Sequence, residues 1–385
     1  LDRLPTHSHW HADAEPAAVV QRAADRLRRS RWRTDVRVEE NGVVSVAAEK
    51  GYLRETGNLL FHVSLVALLA GIALGGLFGY KGTVLVVQGQ GFANVRSSYD
   101  IFEPSRLYSD TQLAPFSFTL QRFSASYEPD GQPRSFDAVV DYRAATDAPP
   151  ATHDIRVNHP LSAAGAKVYL IGHGYALHLQ VRDPKGRLVY DKDTPFLPDD
   201  EMFASHGVVK VPDGLPKQLG LTGFFYPTYG ATPFGPQSTY PGLHDPVLDL
   251  AAWQGDLGLD SGVPQSVYEL PVASLRHVAN KELTPGQKWR LPSGATVKFA
   301  GVDQWATFQI AHDPGKKLML VAAVLVIAGL LVSLRVRRRR VWLRAGPATD
   351  GDVSGRTVVR AGGLTRSDPD GFSQEFASLV RRLKD

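Results

Sequence analysis

The chain has 385 residues, 43% of them apolar and 21% charged, with a formal net charge of +4. The length allows two or three domains. The absence of cysteine excludes disulfide scaffolds, thiol–disulfide carriers, thiolate nucleophiles and Cys-ligated zinc sites. The positive charge gathers in two arginine clusters, at Arg22–Arg37 and Arg335–Arg344, which suits membrane flanks better than the continuous basic face of a nucleic-acid-binding protein.

The chain opens at Leu1 with no signal peptide ahead of its first apolar segment. An upstream part of the natural protein is expected to be missing. Residues 1–56 are polar and read as a small cytoplasmic α+β segment. His7, His9 and His11 alternate there, so they share one side of a strand. Such a set can bind a metal, or it can be a solvated cluster near a terminus. Val19, Val20, Ala23, Ala24 and Leu27 recur at helical spacing and predict a helix from Pro16 to Arg29. Short apolar runs around Val36 and Val44 flank Asn41-Gly42, the pattern of two strands and a turn.

Residues 57–80 are expected to form a first membrane-spanning helix. The uncharged run from Leu59 to Tyr80 is about 33 Å long as a helix, enough to cross a bilayer. The second uncharged run, Leu318 to Leu334, predicts another span over residues 316–335, with Lys316, Lys317 and Arg335 snorkelling to extend it. Arg335, Arg337 to Arg340, and Arg344 follow the second span, against Lys81, Lys316 and Lys317 on the other side. This asymmetry places both ends of the chain in the cytoplasm and residues 81–315 outside.

The fold class expected is a membrane protein whose α-helical spans, two in this chain, flank a large, mainly β extracytoplasmic domain. Phe116, Phe118 and Leu120 alternate with polar residues. So do Leu177, Leu179 and Val181, which the turn Asp183 to Gly186 joins to Leu188-Val-Tyr190 as a hairpin. Val297 and Phe299 continue the pattern. The stretch 222–246, rich in Gly, Pro and Tyr, reads as long loops. Residues 336–385 read as a basic flank, a tail disordered to about residue 370, and a short amphipathic helix. That helix carries Phe372, Phe376, Leu379, Val380 and Leu383 on one face, for docking on the cytoplasmic face or on a partner.

His62 is the candidate functional residue. An ionisable group in a span normally faces protein or a ligand. A neutral imidazole can ligate a metal or haem iron, or it can hydrogen-bond to another helix. Gly71, Gly75 and Gly79 recur every four residues and let another helix approach closely. By helical geometry Gly71 lies about 180° around the helix from His62, so the helix offers one packing face and one imidazole face. His153, His159, His173, His178 and His206 read as loop and strand-surface residues. No Ser/His/Asp set, paired-carboxylate motif or HExxH is recognisable.

The stretch Glu49-Lys-Gly-Tyr-Leu-Arg-Glu-Thr-Gly57-Asn-Leu-Leu-Phe-His62 resembles the entry to the third span of ResB/CcsB proteins, subunits of the system II cytochrome c biogenesis machinery. The segment Asn158-His-Pro-Leu161 through Gly165 and Tyr169 resembles a recurring motif of the family's exported domain. His312-Asp-Pro-Gly315, the span with Gly329-Leu-Leu-Val-Ser333, and Arg337-Arg-Arg-Arg-Val-Trp342 are similar to its last span and exit. The resemblance implies a subunit with four spans, of which this chain carries the last two. It implies a ResC/CcsA-type membrane partner, with which the subunit moves b-type haem across the bilayer. The haem is presented, reduced, to apocytochrome c, with thiol-reducing proteins acting indirectly and no nucleic acid involved. It implies that His62 is an axial haem ligand, that haem is held in transit and shared with the partner, and that Asp313 matches an acidic position before the last span. Any catalysis would belong to the complex, a holocytochrome c synthase. The alternative is a structural or receptor-like membrane protein whose β domain binds an exported partner; a subunit of a metal or solute transporter is a third option.

Overall fold

The computed structural model describes residues 1–233, 235–259, 269–348, 357–365 and 369–384. The chain divides into two compact units, Leu1–Ala73 with Gly315–Asp385, and Leu74–Pro314.

The first unit is built from both ends of the chain. Strand Thr6–Ala12 leads to helix α1, Pro16–Arg29, then to strands Arg33–Val38 and Val44–Lys50 and to helix α2, Leu53–Phe78. Helix α3, Lys316–Arg335, is followed by strands Arg339–Pro347 and Thr357–Thr365 and by helix α4, Pro369–Lys384. The strands form one five-stranded antiparallel sheet in the order Thr6–Ala12, Thr357–Thr365, Arg339–Pro347, Val44–Lys50, Arg33–Val38. Pro16 opens α1, where its fixed φ and missing N–H cost nothing. The apolar positions of α1 lie on one face and all five are buried, Val19, Val20, Ala23 and Ala24 against Val44, Val46, Leu343, Ala345 and Val359. Phe372, Phe376, Leu379 and Val380 of α4 join Leu27, Trp32, Ala48, Val341 and Ala361 in a neighbouring cluster.

Two expectations are corrected here. The tail past Arg344 is not disordered over the described residues. It holds the end of strand Arg339–Pro347, strand Thr357–Thr365 and α4, while 349–356 and 366–368 lie outside the described residues. Val359 and Ala361 are buried by partners some three hundred residues away in sequence, so local composition does not reveal the strand. Nor do residues 1–56 and 336–385 form separate pieces, since they share one sheet. Helix α4 docks on that sheet rather than on a partner.

Helices α2 and α3 are long and apolar enough to cross a membrane. Only 11% of each apolar stretch is buried, which is not how the core helix of a soluble domain sits.

The second unit is mainly β. An eleven-stranded sheet is organised around two 17-residue strands, Ala166–Arg182 and Thr296–His312. They pair antiparallel over nearly their whole length. The expected hairpin is present, with strand Leu188–Pro198 pairing back on Ala166–Arg182. A four-stranded sheet, Gly91–Ala93, Ser117–Tyr127, Pro133–Arg143 and Ala151–Arg156, packs over one end of the long pair. Two cores result. Phe118, Leu120, Val140, Ile155, Phe308 and Ile310 fill one; Leu177, Leu179, Phe196, Phe225, Leu250 and Phe299 fill the other. Trp305 sits between them, its indole N–H donating to the carbonyls of Tyr175 at 3.0 Å and Phe196 at 3.2 Å. The stretch 222–246 is more regular than expected. It contains the end of strand Leu219–Tyr226 and a small hairpin of Tyr229–Thr232 and Gly235–Ser238; residue 234 lies outside the described residues.

Candidate functional site

The faces of α2 are set by its small residues. Gly57, Ser64 and Gly71 are its buried positions, and Ala322 and Gly329 are those of α3. Each set recurs at heptad spacing, which keeps it on one stripe of its helix. A Cβ on Gly57 would stand 2.8 Å from the Ser333 nitrogen, and one on Gly329 would stand 2.7 Å from the Phe61 nitrogen. A Cβ on Gly71 would stand 2.7 Å from Met319 Cγ. The two helices therefore run antiparallel with their backbones in contact, as small residues in spans permit.

Of Gly71, Gly75 and Gly79, expected to let another helix approach closely, Gly71 meets one. Gly71 is covered by α3. In the second unit, a Cβ on Gly75 would meet Asp313 Oδ1 at 2.5 Å and one on Gly79 would meet the His312 carbonyl at 2.6 Å. Small residues admit a close backbone without specifying whose, and here it is the chain's own. Asp313 is thus packed on Gly75 near the C-terminal end of α2, whereas His62 stands near the N-terminal end.

His62 Nδ1 lies 2.7 Å from the carbonyl oxygen of Asn58, one turn back. A carbonyl only accepts, so Nδ1 carries the proton and donates. In the neutral ring Nε2 then holds the lone pair, the arrangement in which a histidine is oriented to ligate through Nε2. The Phe61 ring stands edge-on, 5.2 Å away. His62 lies about 160° around α2 from Ser64 and about 180° from Gly71. It is exposed, beside Leu59 (65% exposed) and Val66 (67% exposed). The imidazole therefore faces away from α3, on an apolar side of the helix that this unit leaves uncovered.

The segments singled out in the sequence meet in pairs. The Arg338 guanidinium hydrogen-bonds to both Glu49 and Glu55, joining the exit from α3 to the entry into α2. The side-chain bond to Arg338 is the main cause holding the Glu49 carboxyl below its usual range. In the second unit, His312 Nδ1 donates to the Gly165 carbonyl at 3.0 Å, joining the segment that runs from Asn158 to Tyr169 to the residues before α3. Ala164 and Gly165 turn there with φ of 48° and 86°.

The remaining histidines divide by surroundings. His7, His9 and His11 lie on the exposed face of strand Thr6–Ala12. Their ring nitrogens are not among the groups of possible metal ligands that converge within 4.8 Å among the described residues. His178, Asp193 and Asp303 are the one group among the described residues whose possible metal ligands converge within 4.8 Å. Both ring nitrogens of His178 already face carboxylates, Nδ1 at 2.6 Å from Asp193 and Nε2 at 2.9 Å from Asp191. The bond to Asp193 raises the affinity of His178 for its proton, and a doubly protonated ring has no lone pair for a metal. His173 departs from the expected surface position. Phe203 stacks on it at 4.6 Å and Phe123 at 5.0 Å. Burial lowers its pKa to about 4. Phe123 comes from strand Ser117–Tyr127 and Phe203 from the connection before strand Ser205–Val211, so no local sequence signal announces the cluster.

A family model described as the ResB-like family matches residues 1–377. A cytochrome c biogenesis protein CcsB of Synechococcus sp. (strain WH7803) is 24% identical over 344 residues, 88% of this chain and 64% of the relative. The CcsB of Synechococcus sp. (strain CC9605) is 24% identical over 361 residues, 93% of this chain and 66% of the relative. That of Synechococcus sp. (strain JA-3-3Ab) is 25% identical over 346 residues, 87% of this chain and 59% of the relative. The chain thus spans somewhat under two thirds of the length of the curated relatives it matches.

Proposed function

Since the chain belongs to the ResB-like family, we propose that it is the haem-handling part of a system II cytochrome c assembly complex in the cell membrane. The relatives are named cytochrome c biogenesis proteins, and the proposal extends that role to this chain. In this reading α2 and α3 span the bilayer and the unit Leu74–Pro314 lies outside. The five-stranded sheet lies in the cytoplasm, where the arginines that follow α3 belong by the positive-inside rule. That rule counts Lys and Arg, so the carboxylate partners of Arg338, Arg339, Arg340 and Arg344 do not weaken it.

One observation carries the haem assignment: His62 offers Nε2 on the uncovered side of an apolar helix, with its tautomer set by the Asn58 carbonyl. Haem is cargo here, a b-type haem with His62 as one axial ligand and the second supplied by a ResC/CcsA-type subunit seated on that side. The chain's own work is to orient the imidazole through Nδ1, and to keep that side of α2 apolar so that water does not compete for the iron. Attachment to apocytochrome c belongs to the assembled complex. The glycines and Asp313 position α2 rather than touch haem.

The test is the visible spectrum of the full-length protein purified with its partner subunit, as wild type, His62→Ala and His62→Gly. Haem should copurify with the wild type, be lost from both variants, and return to His62→Gly when imidazole is added. Equal haem in all three would make His62 a packing residue and favour a receptor-like membrane protein.

A further inference from the structure

The strongest unassigned feature is a polar pocket of about 360 Å³ at the junction of α2, α3 and the five-stranded sheet, lined by Arg54, Glu55, Asn58, Ser333, Arg338 and Arg340, among others. It begins at the residue that fixes His62, since Asn58 both lines it and accepts the His62 N–H. By helical geometry Glu55, Asn58 and Arg54 lie about 20°, 40° and 80° around α2 from His62, and Asn58 and Arg54 sit about 6 Å and 12 Å along the axis from it. The α2 residues that line the pocket thus lie on the half of the helix that carries His62, and Ser333 and Arg338 close it from the α3 side.

Its charge is unbalanced. Arg338 is taken up by Glu49 and Glu55, and Arg340 stands 3.5 Å from the other oxygen of Glu49. Among the described residues no carboxylate pairs with Arg54. Three guanidinium groups meet two carboxylates, beside the uncharged polar groups of Asn58 and Ser333. An arginine-rich hollow at the end of an apolar helix suits a planar anionic group, which needs such partners when it leaves water.

We infer that this pocket receives the propionate carboxylates of the haem held by His62, and so sets which edge of the macrocycle points toward the start of α2. The inference rests on the haem reading above. Haem carries both carboxylates on one edge, so ligation at Nε2 leaves that edge free to lie along α2 toward Asn58 and Arg54. The two groups have separate tasks: His62 binds iron, and Arg54, with Arg340, binds the carboxylates.

The experiment titrates the full-length protein, with its partner subunit in detergent, with haem b and with haem b dimethyl ester, whose propionates are uncharged. Wild type is expected to bind the acid about tenfold more tightly than the ester. Arg54→Gln should lose that preference while keeping the wild-type absorption spectrum, and Arg54→Lys should keep much of it. Equal binding of acid and ester by wild type, with a spectrum that depends on His62, overturns the inference and leaves the haem reading intact. An acid-to-ester ratio unchanged in Arg54→Gln, with anionic phospholipid lost from the purified variant, also overturns it and makes the pocket a lipid-headgroup site. If His62→Ala leaves spectrum and affinity untouched for both ligands, it is the haem reading itself that fails.

Discussion

The imidazole of His62 is set by one hydrogen bond to a backbone carbonyl, so its tautomer survives any change in the Asn58 side chain. The other histidines show how far surroundings decide the same side chain's chemistry. His173 is packed among aromatic rings with its pKa lowered to about 4; His178 lies between two aspartates that raise its own. The two oppose each other in pH. A lowered folded-state value means that His173 contributes stability fully above the unfolded value of about 6.5. That stability is lost as pH falls from there toward 4, by on the order of 3 kcal/mol. The raised value of His178 means that its contribution is present in acid and is lost as pH rises through the folded pKa. Thermal unfolding in detergent from pH 7 to pH 4 should therefore show a loss of stability in the wild type that His173→Phe largely removes. An unchanged slope in the variant would mean that His173 is hydrated rather than packed.

At the scale of the helix, contact between α2 and α3 depends on the absence of side chains at Gly57, Gly71 and Gly329. Gly57→Leu must push Val332 and the Ser333 backbone aside, an overpacking that costs about 1–3 kcal/mol. Gly76→Ala meets open space and should be neutral, or slightly stabilising through helix propensity. Melting temperatures of the two variants in detergent check this, with a clear drop expected for Gly57→Leu alone. No drop in either would mean that α2 and α3 separate in solution. The glycine pattern was legible in the sequence, and so was its role in close packing. Its occupant was not, because a small residue leaves room for any backbone, and only the fold shows α3 filling that room at Gly71.

At the scale of the whole chain, the cytoplasmic sheet of the proposed topology is completed by residues that follow α3. Strand Thr357–Thr365 sits between Thr6–Ala12 and Arg339–Pro347, and among the described residues Thr6–Ala12 pairs with no other strand. Ending the chain after residue 348 should therefore release the N-terminal segment as well, and limited trypsin digestion should cut within residues 1–50 of the truncated protein and spare the intact one. Phe376→Ala, which empties a buried position of α4, should cost about 3–5 kcal/mol and open the same segment to the protease. By itself the sequence determined the two apolar helices, the mainly β character of what lies between them, the extent of α1, and the candidate His62. Each rests on local periodicity or on one residue type in an unusual setting, and these are properties a segment carries with it. Tertiary structure alone decided that the two chain ends form one sheet, that the glycine face of α2 is already filled, that His173 is enclosed by rings, and that Arg54, Arg338 and Arg340 converge beside Asn58. These outcomes depend on contacts between residues far apart in sequence, and no local pattern encodes which of the possible partners the folded chain brings together.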